Sequence, residues 1–179
     1  MEVNKQIAVA FTGYRESKLL GRTKNKSFLA KLISNSKNEK LQDIIHRTYE
    51  AVEKLYNDGC RLYITGMSDG FDLIGGQAVI DLKQKYSDVK LMAVVPFVGQ
   101  EERYTIQDQA TYDFVLEHSD EVVTLAEKFV DDSQYLRRND YMLERATHIV
   151  CYFDGRRGGT MYTYNRAKKA GLEIINICE

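Results

Sequence analysis

The sequence predicts an α/β protein with a Rossmann-like, doubly wound sheet of about six mainly parallel strands and helices on both faces. Short apolar segments alternate with segments of helical spacing along the whole chain. Val9, Val94 and Val150 lie in near-continuous apolar runs, which are typical of strands covered on both faces. Successive parallel strands need crossover connections, and the helices supply them. With 179 residues, 44% of them hydrophobic, we expect one domain over residues 1–179.

The predicted strands are short runs rich in apolar and β-branched residues, and the first three stop at Gly13, Gly66 and Pro96. They are residues 6–12, 61–65, 89–95, 121–125, 148–153 and 173–177. Between the first two strands, apolar residues recur at helical spacing from Leu41 to Leu55, and Gly59 ends that helix.

The four later helices follow the strands in turn. The first has one apolar face that begins at Phe71, and Ser133 can cap the third. The second is the more polar segment 101–118, the third runs to about residue 146, and the fourth covers 160–170. Residues 13–38 are predicted to be one long irregular, basic stretch, either a functional loop or a merely solvated one.

Composition excludes several classes of function. The formal net charge is −1, which argues against a globally basic nucleic-acid-binding surface. No apolar run is long enough to span a bilayer, and the N-terminus lacks a signal-peptide layout, so we expect a cytoplasmic protein without a membrane partner. The three cysteines are far apart and the three histidines are scattered, which predicts reduced thiols, no metal site and no required cofactor.

Glycine-bearing turns follow three of the strands at the edge where open α/β sheets bind ligands. These turns are Thr12-Gly13-Tyr14-Arg15, the segment 65–72, and Asp154-Gly155 continuing to Gly158-Gly159-Thr160. Two lead straight into helices, whose N-termini suit phosphate. Tight strand–helix turns without a ligand remain the alternative. The dinucleotide motif G-x-G-x-x-G and the P-loop motif are both absent.

Two further groups have a structural and a functional interpretation. Asp72 can favour the dipole of its own helix, or it can bind a ribose or a base. The run Arg137-Arg138-Asn139 at a helix start can bind an anion in planar geometry, or it can be ordinary surface.

Five segments in order resemble the YpsA-like proteins of the SLOG superfamily, from about residue 7 to 177. They are Phe11 to Arg15, Ile64 to Asp72, Pro96-Phe97 with Gln100, Arg137 to Asn139 with Met142, and Asp154 to Thr160. The superfamily also contains DNA-processing protein A (Smf) and the Lonely-guy phosphoribohydrolases. The resemblance implies a Rossmann-like fold with a nucleotide-type ligand at the glycine-rich edge, and it supplies no reaction.

The turns and the resemblance together give the candidate ligand-binding residues. They are Thr12, Gly13, Arg15, Gly66, Met67, Gly70, Asp72, Pro96, Arg138, Asn139, Asp154, Gly158, Gly159 and Thr160. Catalytic residues are unknown, with Asp72 and Asp154 as weak candidates. The expected function is a nucleotide-binding sensor or regulatory domain that binds a phosphate-bearing small molecule.

Two alternatives remain open. Lonely-guy enzymes cleave nucleoside monophosphates with a GGxGTxxE motif, whose glutamate position falls on Thr163 here. The DNA-processing protein A motif SGxAxGID resembles residues 65–72 and implies a single-stranded DNA partner. We also expect a homodimer or a higher homo-oligomer, with the segment of Tyr104 and Tyr112 as the candidate interface.

Overall fold

Six strands form one all-parallel sheet, which confirms the predicted fold class. The computed structural model describes residues 7–20 and 28–178, with side chains for 7–20 and 38–178. The strands are β1 (Ala8–Thr12), β2 (Leu62–Thr65), β3 (Lys90–Val95), β4 (Glu121–Thr124), β5 (His148–Cys151) and β6 (Glu173–Asn176). They lie in the order β4-β3-β2-β1-β5-β6. The direction of winding therefore reverses between β1 and β5, where such sheets bind ligands.

The helices cover both faces of this sheet. They are α1 (Glu16–Leu19), α2 (Phe28–Asn57), α3 (Phe71–Lys85), α4 (Ile106–Glu117), α5 (Ser133–Arg145) and α6 (Gly159–Lys169), with a 3₁₀ turn at Gln100–Arg103. Alternate residues of β1 face opposite ways, as the two-residue period of a strand requires. Val9 and Phe11 pack in the core beneath α2, α3 and α4, whereas Ala10 packs in the core beneath α5 and α6.

Two glycines inside α3 allow this helix to approach its neighbours closely. A Cβ on Gly75 would lie 2.6 Å from the ring of Phe11 in β1, and one on Gly76 would lie 2.7 Å from Val115 in α4. Both distances are below any tolerable contact, so the helix-weakening glycines are explained by packing.

The prediction of one irregular stretch over residues 13–38 is wrong in two places. Residues 16–19 form α1, and α2 begins at Phe28 rather than near residue 41. The apolar residues Phe28, Leu29, Leu32 and Ile33 carry a helical spacing that continues into the later pattern, and no glycine or proline interrupts it. Residues 21–27, which contain part of the basic charge of this stretch, lie outside the described residues.

The predicted helix 101–118 is divided by a cap at Thr105, whose hydroxyl accepts a hydrogen bond from the Asp108 amide at 3.1 Å. This segment does not offer the predicted tyrosine interface. Tyr112 is buried in the core and its ring meets that of Tyr104 edge-on at 6.1 Å. The expected homo-oligomer stays a prediction, without these side chains as its contact.

Candidate functional site

A cavity of about 550 Å³ lies at the carboxyl ends of the strands, at the reversal between β1 and β5. Cavities of this size accommodate small ligands. Its walls come from the loop after β1 and α1, the start of α3, the first turns of α5, and the start of α6. The lining residues are Thr12, Gly13, Tyr14, Arg15, Ser17, Lys18, Ser68, Asp72, Asp132, Tyr135, Leu136, Arg138, Asn139, Gly158, Gly159 and Thr160.

The N-terminus of α6 opens onto this cavity without a protein cap. Gly158, the N-cap residue, has a φ of 141° and supplies no side-chain hydrogen bond. The first helical bond runs from the Tyr162 amide to the Gly158 carbonyl at 3.1 Å. The amides of residues 159–161 therefore have no partner within the helix. Gly159 has open space around the position of a Cβ, so these amides are accessible to a ligand.

The N-terminus of α3, the second glycine turn, is closed by the protein itself. Its N-cap residue Gly70 has a φ of 89°, and a Cβ there would lie 2.5 Å from the Glu16 backbone nitrogen. The Phe71 amide donates to the Tyr14 carbonyl at 3.1 Å. Gly70 is thus required for close packing of the β1–α1 loop on α3, and the Phe71 amide is already engaged by the protein.

The floor of the cavity is formed by Ser68, Asp72 and Arg138. Asp72 and Arg138 are almost fully buried, with side chains 8% and 5% exposed, and Asp72 Oδ2 lies 4.0 Å from Arg138 Nη1. Burial raises the pKa of the Asp72 carboxyl to about 6, although the Arg138 charge and the Ser68 amide act in the opposite direction. Burial also lowers the pKa of Arg138.

The Arg138 guanidinium donates its hydrogen bonds to protein groups, and it is not free to bind an anion with two parallel hydrogen bonds. Its Nη1 donates to the Gly66 carbonyl, its Nη2 donates to Ser68 Oγ at 3.1 Å, and its Nε donates to Asn139 Oδ1 at 2.7 Å. The structure therefore favours a role for Arg138 in fixing the segment after β2. This arrangement differs from the planar, bidentate anion site that the sequence suggested.

A chain of hydrogen bonds connects the floor to the first turn of α6. Asn139 Nδ2 donates to Thr163 Oγ1 at 2.8 Å, and the Thr163 hydroxyl donates to the Gly159 carbonyl at 2.9 Å. Since Asn139 also accepts from Arg138, this one side chain bridges the two walls. Thr163, where the resemblance to Lonely-guy enzymes implies a glutamate, is only 3% exposed, and its two hydrogen bonds connect α6 to Asn139 of α5.

Two clusters flank the cavity. Tyr14 donates from its hydroxyl to Asp154 Oδ1 at 2.5 Å, and Asp154 pairs with Arg156 at 2.6 Å. The Arg156 hydrogen bonds hold the pKa of Asp154 well below its usual range. On the other side, the Arg15 guanidinium lies 5.0 Å from the centre of the Tyr135 ring and 3.5 Å from Asp69 Oδ1. At that separation the two groups form an ion pair without a hydrogen bond. Asp69 Oδ1 is therefore buried without a hydrogen-bond partner among the described residues.

The structure brings most of the predicted site residues to the cavity wall. These are Thr12, Gly13, Arg15, Asp72, Arg138, Asn139, Gly158, Gly159 and Thr160. The other candidates lie behind or beside the cavity and do not line it: Gly66, Met67, Gly70, Pro96 and Asp154.

Each of these five residues has another role or place in the structure. The Gly66 carbonyl accepts from Arg138, and Gly70 packs on backbone. Met67 is fully buried with a φ of 61°, and its carbonyl accepts from Gln100 at 2.6 Å and from Tyr104 at 3.2 Å. Pro96 is buried after β3, and Asp154 is held in the Tyr14 cluster.

Several lining residues were missed as candidates: Ser17, Lys18, Ser68, Asp132 and Tyr135. Among them, Lys18 places a positive charge beside the start of α6. Its Nζ donates to the Arg157 carbonyl at 2.7 Å and lies 3.5 Å from where a Cβ on Gly158 would be. In the sequence, Lys18 is one of several basic residues that follow the first strand, and nothing there distinguishes it from the others.

The described residues contain neither a cluster suited to a metal ion nor a helix suited to a membrane. No group of three or more histidine, cysteine, aspartate or glutamate side chains in residues 7–20 and 38–178 is arranged to hold a metal ion. No helix in the described part of the chain is long and apolar enough to cross a membrane.

The family model described as the YspA SLOG family (YpsA) matches residues 9–174, nearly the whole chain. Among curated relatives, a UPF0398 protein of Bacillus cereus strain B4264 is 26% identical over 170 residues, which cover 94% of this chain and 85% of that protein. A UPF0398 protein of Bacillus thuringiensis strain Al Hakam matches with the same identity and coverage.

Two solved structures share the fold. DNA processing protein A from Helicobacter pylori, described with a single-stranded DNA binding mode, has a TM-score of 0.56 at 14% identity. The Streptococcus pneumoniae protein of the same name has a TM-score of 0.57 at 16% identity. The alignments cover 96% and 95% of this chain, but only 65% and 50% of those chains. At these identities the likeness concerns the fold alone.

Proposed function

Because the chain belongs to the YspA SLOG family, we propose that it is a sensor or regulatory domain that binds a nucleotide or nucleotide derivative in the cavity beside β1 and β5. The observation that carries this proposal is the uncapped N-terminus of α6. Its free amides and partial positive charge face a cavity of about 550 Å³ at the sheet reversal. A ligand phosphate would supply the missing cap.

The charges around the cavity support one phosphate group rather than a long polyphosphate. The lining contains three cations, Arg15, Lys18 and Arg138, and two carboxylates, Asp72 and Asp132. Arg138 is already engaged by protein oxygens and lies beside Asp72. Of these three cations, Lys18 lies beside the α6 terminus, with its Nζ 3.5 Å from the position of a Cβ on Gly158, and it could move from the Arg157 carbonyl to a phosphate oxygen.

The decisive experiment places a negative charge where the phosphate is proposed to bind. In Gly159→Glu, the new side chain enters open space, so the fold should survive. An acid near a helix N-terminus even favours the helix by roughly 0.3–1 kcal/mol. Binding of nucleoside mono- and diphosphates should be lost, because the carboxylate occupies the phosphate position and repels the ligand.

The matched control is Asn165→Glu, which adds the same charge at an exposed position of the same helix. Calorimetric titration should show unchanged binding by this variant, while circular dichroism and thermal melts verify that both variants are folded. Wild-type protein at a ligand concentration of ~100 Kd should gain about 2.7 kcal/mol in unfolding free energy. Undiminished binding by folded Gly159→Glu would exclude the α6 terminus as the phosphate site.

A hydrolytic function is the second candidate, and Asp72 is the observation in its favour. A carboxyl with a pKa of about 6 that lines a cavity is suited to exchange protons near neutral pH. Release of free base from nucleoside monophosphates, lost in Asp72→Asn, would establish a phosphoribohydrolase.

A further inference from the structure

Within the proposed nucleotide site, one carboxylate oxygen on the floor is available to accept a hydrogen bond from the ligand. Asp72 Oδ2 receives the Ser68 amide at 3.4 Å, whereas Oδ1 receives no hydrogen bond from the described residues. Asp72 lines the cavity although its side chain is only 8% exposed. An ionised carboxylate only accepts hydrogen bonds and repels phosphate. The part of the ligand that reaches Asp72 must therefore be a donor and not the phosphate.

The connection between the two walls indicates which donor this is. Asn139 is the single side chain between Arg138 on the floor and Thr163 beneath the first turn of α6, with hydrogen bonds of 2.7 and 2.8 Å. The floor is therefore a near neighbour of the proposed phosphate position. In a nucleotide the group bonded directly to the phosphate is the sugar, and the base lies beyond it. A donor close to the phosphate is thus a sugar hydroxyl.

A base would find a planar surface at another part of the cavity wall. There the Tyr135 ring lines the cavity and carries the Arg15 guanidinium 5.0 Å from its centre. A planar aromatic group can stack on such a tyrosine or arginine. This leaves the floor for the sugar and the α6 terminus for the phosphate.

We infer that the ligand is a nucleotide whose free sugar hydroxyl donates to Asp72 Oδ1, so that the site selects nucleotides with that hydroxyl against their 2′,3′-dideoxy counterparts. This inference rests on the proposed function and gives its substrate class. Loss of a hydrogen bond to a charged acceptor weakens binding by roughly tenfold or more.

The test is calorimetric titration of wild-type protein with the four ribonucleoside 5′-monophosphates and with their 2′-deoxy and 2′,3′-dideoxy counterparts. For the best-bound base we expect the dideoxy compound to bind about tenfold more weakly or worse. Equal affinities across the sugar series would overturn the inference and leave the proposed phosphate site standing. If no member of the series and no nucleoside diphosphate binds, the proposed function itself fails.

The variant Asp72→Asn tests the residue, with Asp140→Asn as the matched control. Asp140, on α5, pairs with Arg166 of α6 at 2.8 Å and does not line the cavity. We expect the ratio of ribo to dideoxy affinity to fall toward one in Asp72→Asn and to stay unchanged in the control. A folded Asp72→Asn protein that retains the full ratio would refute the assignment. If this variant does not fold, the sugar series on wild-type protein still decides the inference.

Discussion

The buried carboxyl of Asp72 should make the stability of the protein fall as pH rises through weakly acidic values. Its pKa is about 6 in the folded protein, compared with an ordinary value of 3.8. Between these values the folded state holds a proton that the unfolded chain has released. The unfolding free energy contributed by this group therefore decreases as pH rises from about 4 to 6.

The expected size follows from the shift. A difference of about 2 pKa units corresponds to about 3 kcal/mol, at about 1.36 kcal/mol per unit. Asp72→Asn removes the titration and keeps the shape of the side chain. The unfolding free energy of wild type minus that of Asp72→Asn should therefore drop by up to about 3 kcal/mol between pH 4 and pH 7. The charges that face Asp72 are Arg138, Asp69 and Arg15, and all three are present in both proteins.

Urea unfolding at a series of pH values measures this difference, because other titrating groups cancel between the two proteins. Asp154→Asn provides a control of opposite sign. The Arg156 hydrogen bonds lower the pKa of Asp154, so its contribution to stability is present above its ordinary pKa and is lost as pH falls below it. A wild-type minus Asp72→Asn difference that is flat, or that rises from pH 4 to 7, would refute the proposed burial of this carboxyl.

Three more outcomes follow from local geometry. Gly70→Ala should cost more than about 2 kcal/mol in urea unfolding because its φ is 89° and backbone blocks the Cβ, whereas Gly155→Ala, with a φ of 91° in open space, should cost about 1 kcal/mol. Lys18→Ala should weaken nucleotide binding about tenfold in calorimetry and leave the melting temperature nearly unchanged. Thr163→Val should cost about 1–2 kcal/mol, read from urea unfolding, because it leaves the Asn139 amide without its acceptor.

The fold was predictable because its signals are local and repeated. Apolar strands covered on both faces and helices of regular spacing between them suffice to predict a parallel, doubly wound sheet, and the structure has one. The start of α6 was predicted at Thr160 and lies at Gly159. The early start of α2 was missed because the polar residues 34–40, rich in serine, asparagine and lysine, separate its apolar first turns from the later pattern that begins at Leu41.

The sequence predicted which edge of the sheet carries the site, but not which residues are accessible there. Whether a turn is open or closed depends on segments that are distant in the sequence. Gly70 and Gly158 look alike in sequence, each preceding a helix. One is closed by the carbonyl of Tyr14, contributed by another strand–helix loop, and the other is open. Likewise, Arg138 looks like a surface arginine, but it is 4% exposed and is held by a carbonyl 72 residues away.

Thr163, where the resemblance to Lonely-guy enzymes implies a glutamate, bears on the chemistry that the cavity can support. The Thr163 hydroxyl accepts a hydrogen bond from the Asn139 side chain and donates one to the Gly159 carbonyl. Its role is therefore to position α6. Of the two carboxylates that line the cavity, Asp72 has its pKa raised to about 6 by burial, and its near neighbour Arg138 favours the ionised form. At pH 7.5 Asp72 is therefore mostly ionised and is an acceptor rather than a proton donor. Only the minor protonated fraction of Asp72 could give a proton to a glycosidic leaving group at this pH. We accordingly expect binding of ribonucleoside monophosphates without release of free base at pH 7.5, monitored by chromatography over hours. Base release that is abolished in a folded Asp72→Asn protein would contradict this reasoning and assign the domain a hydrolytic role.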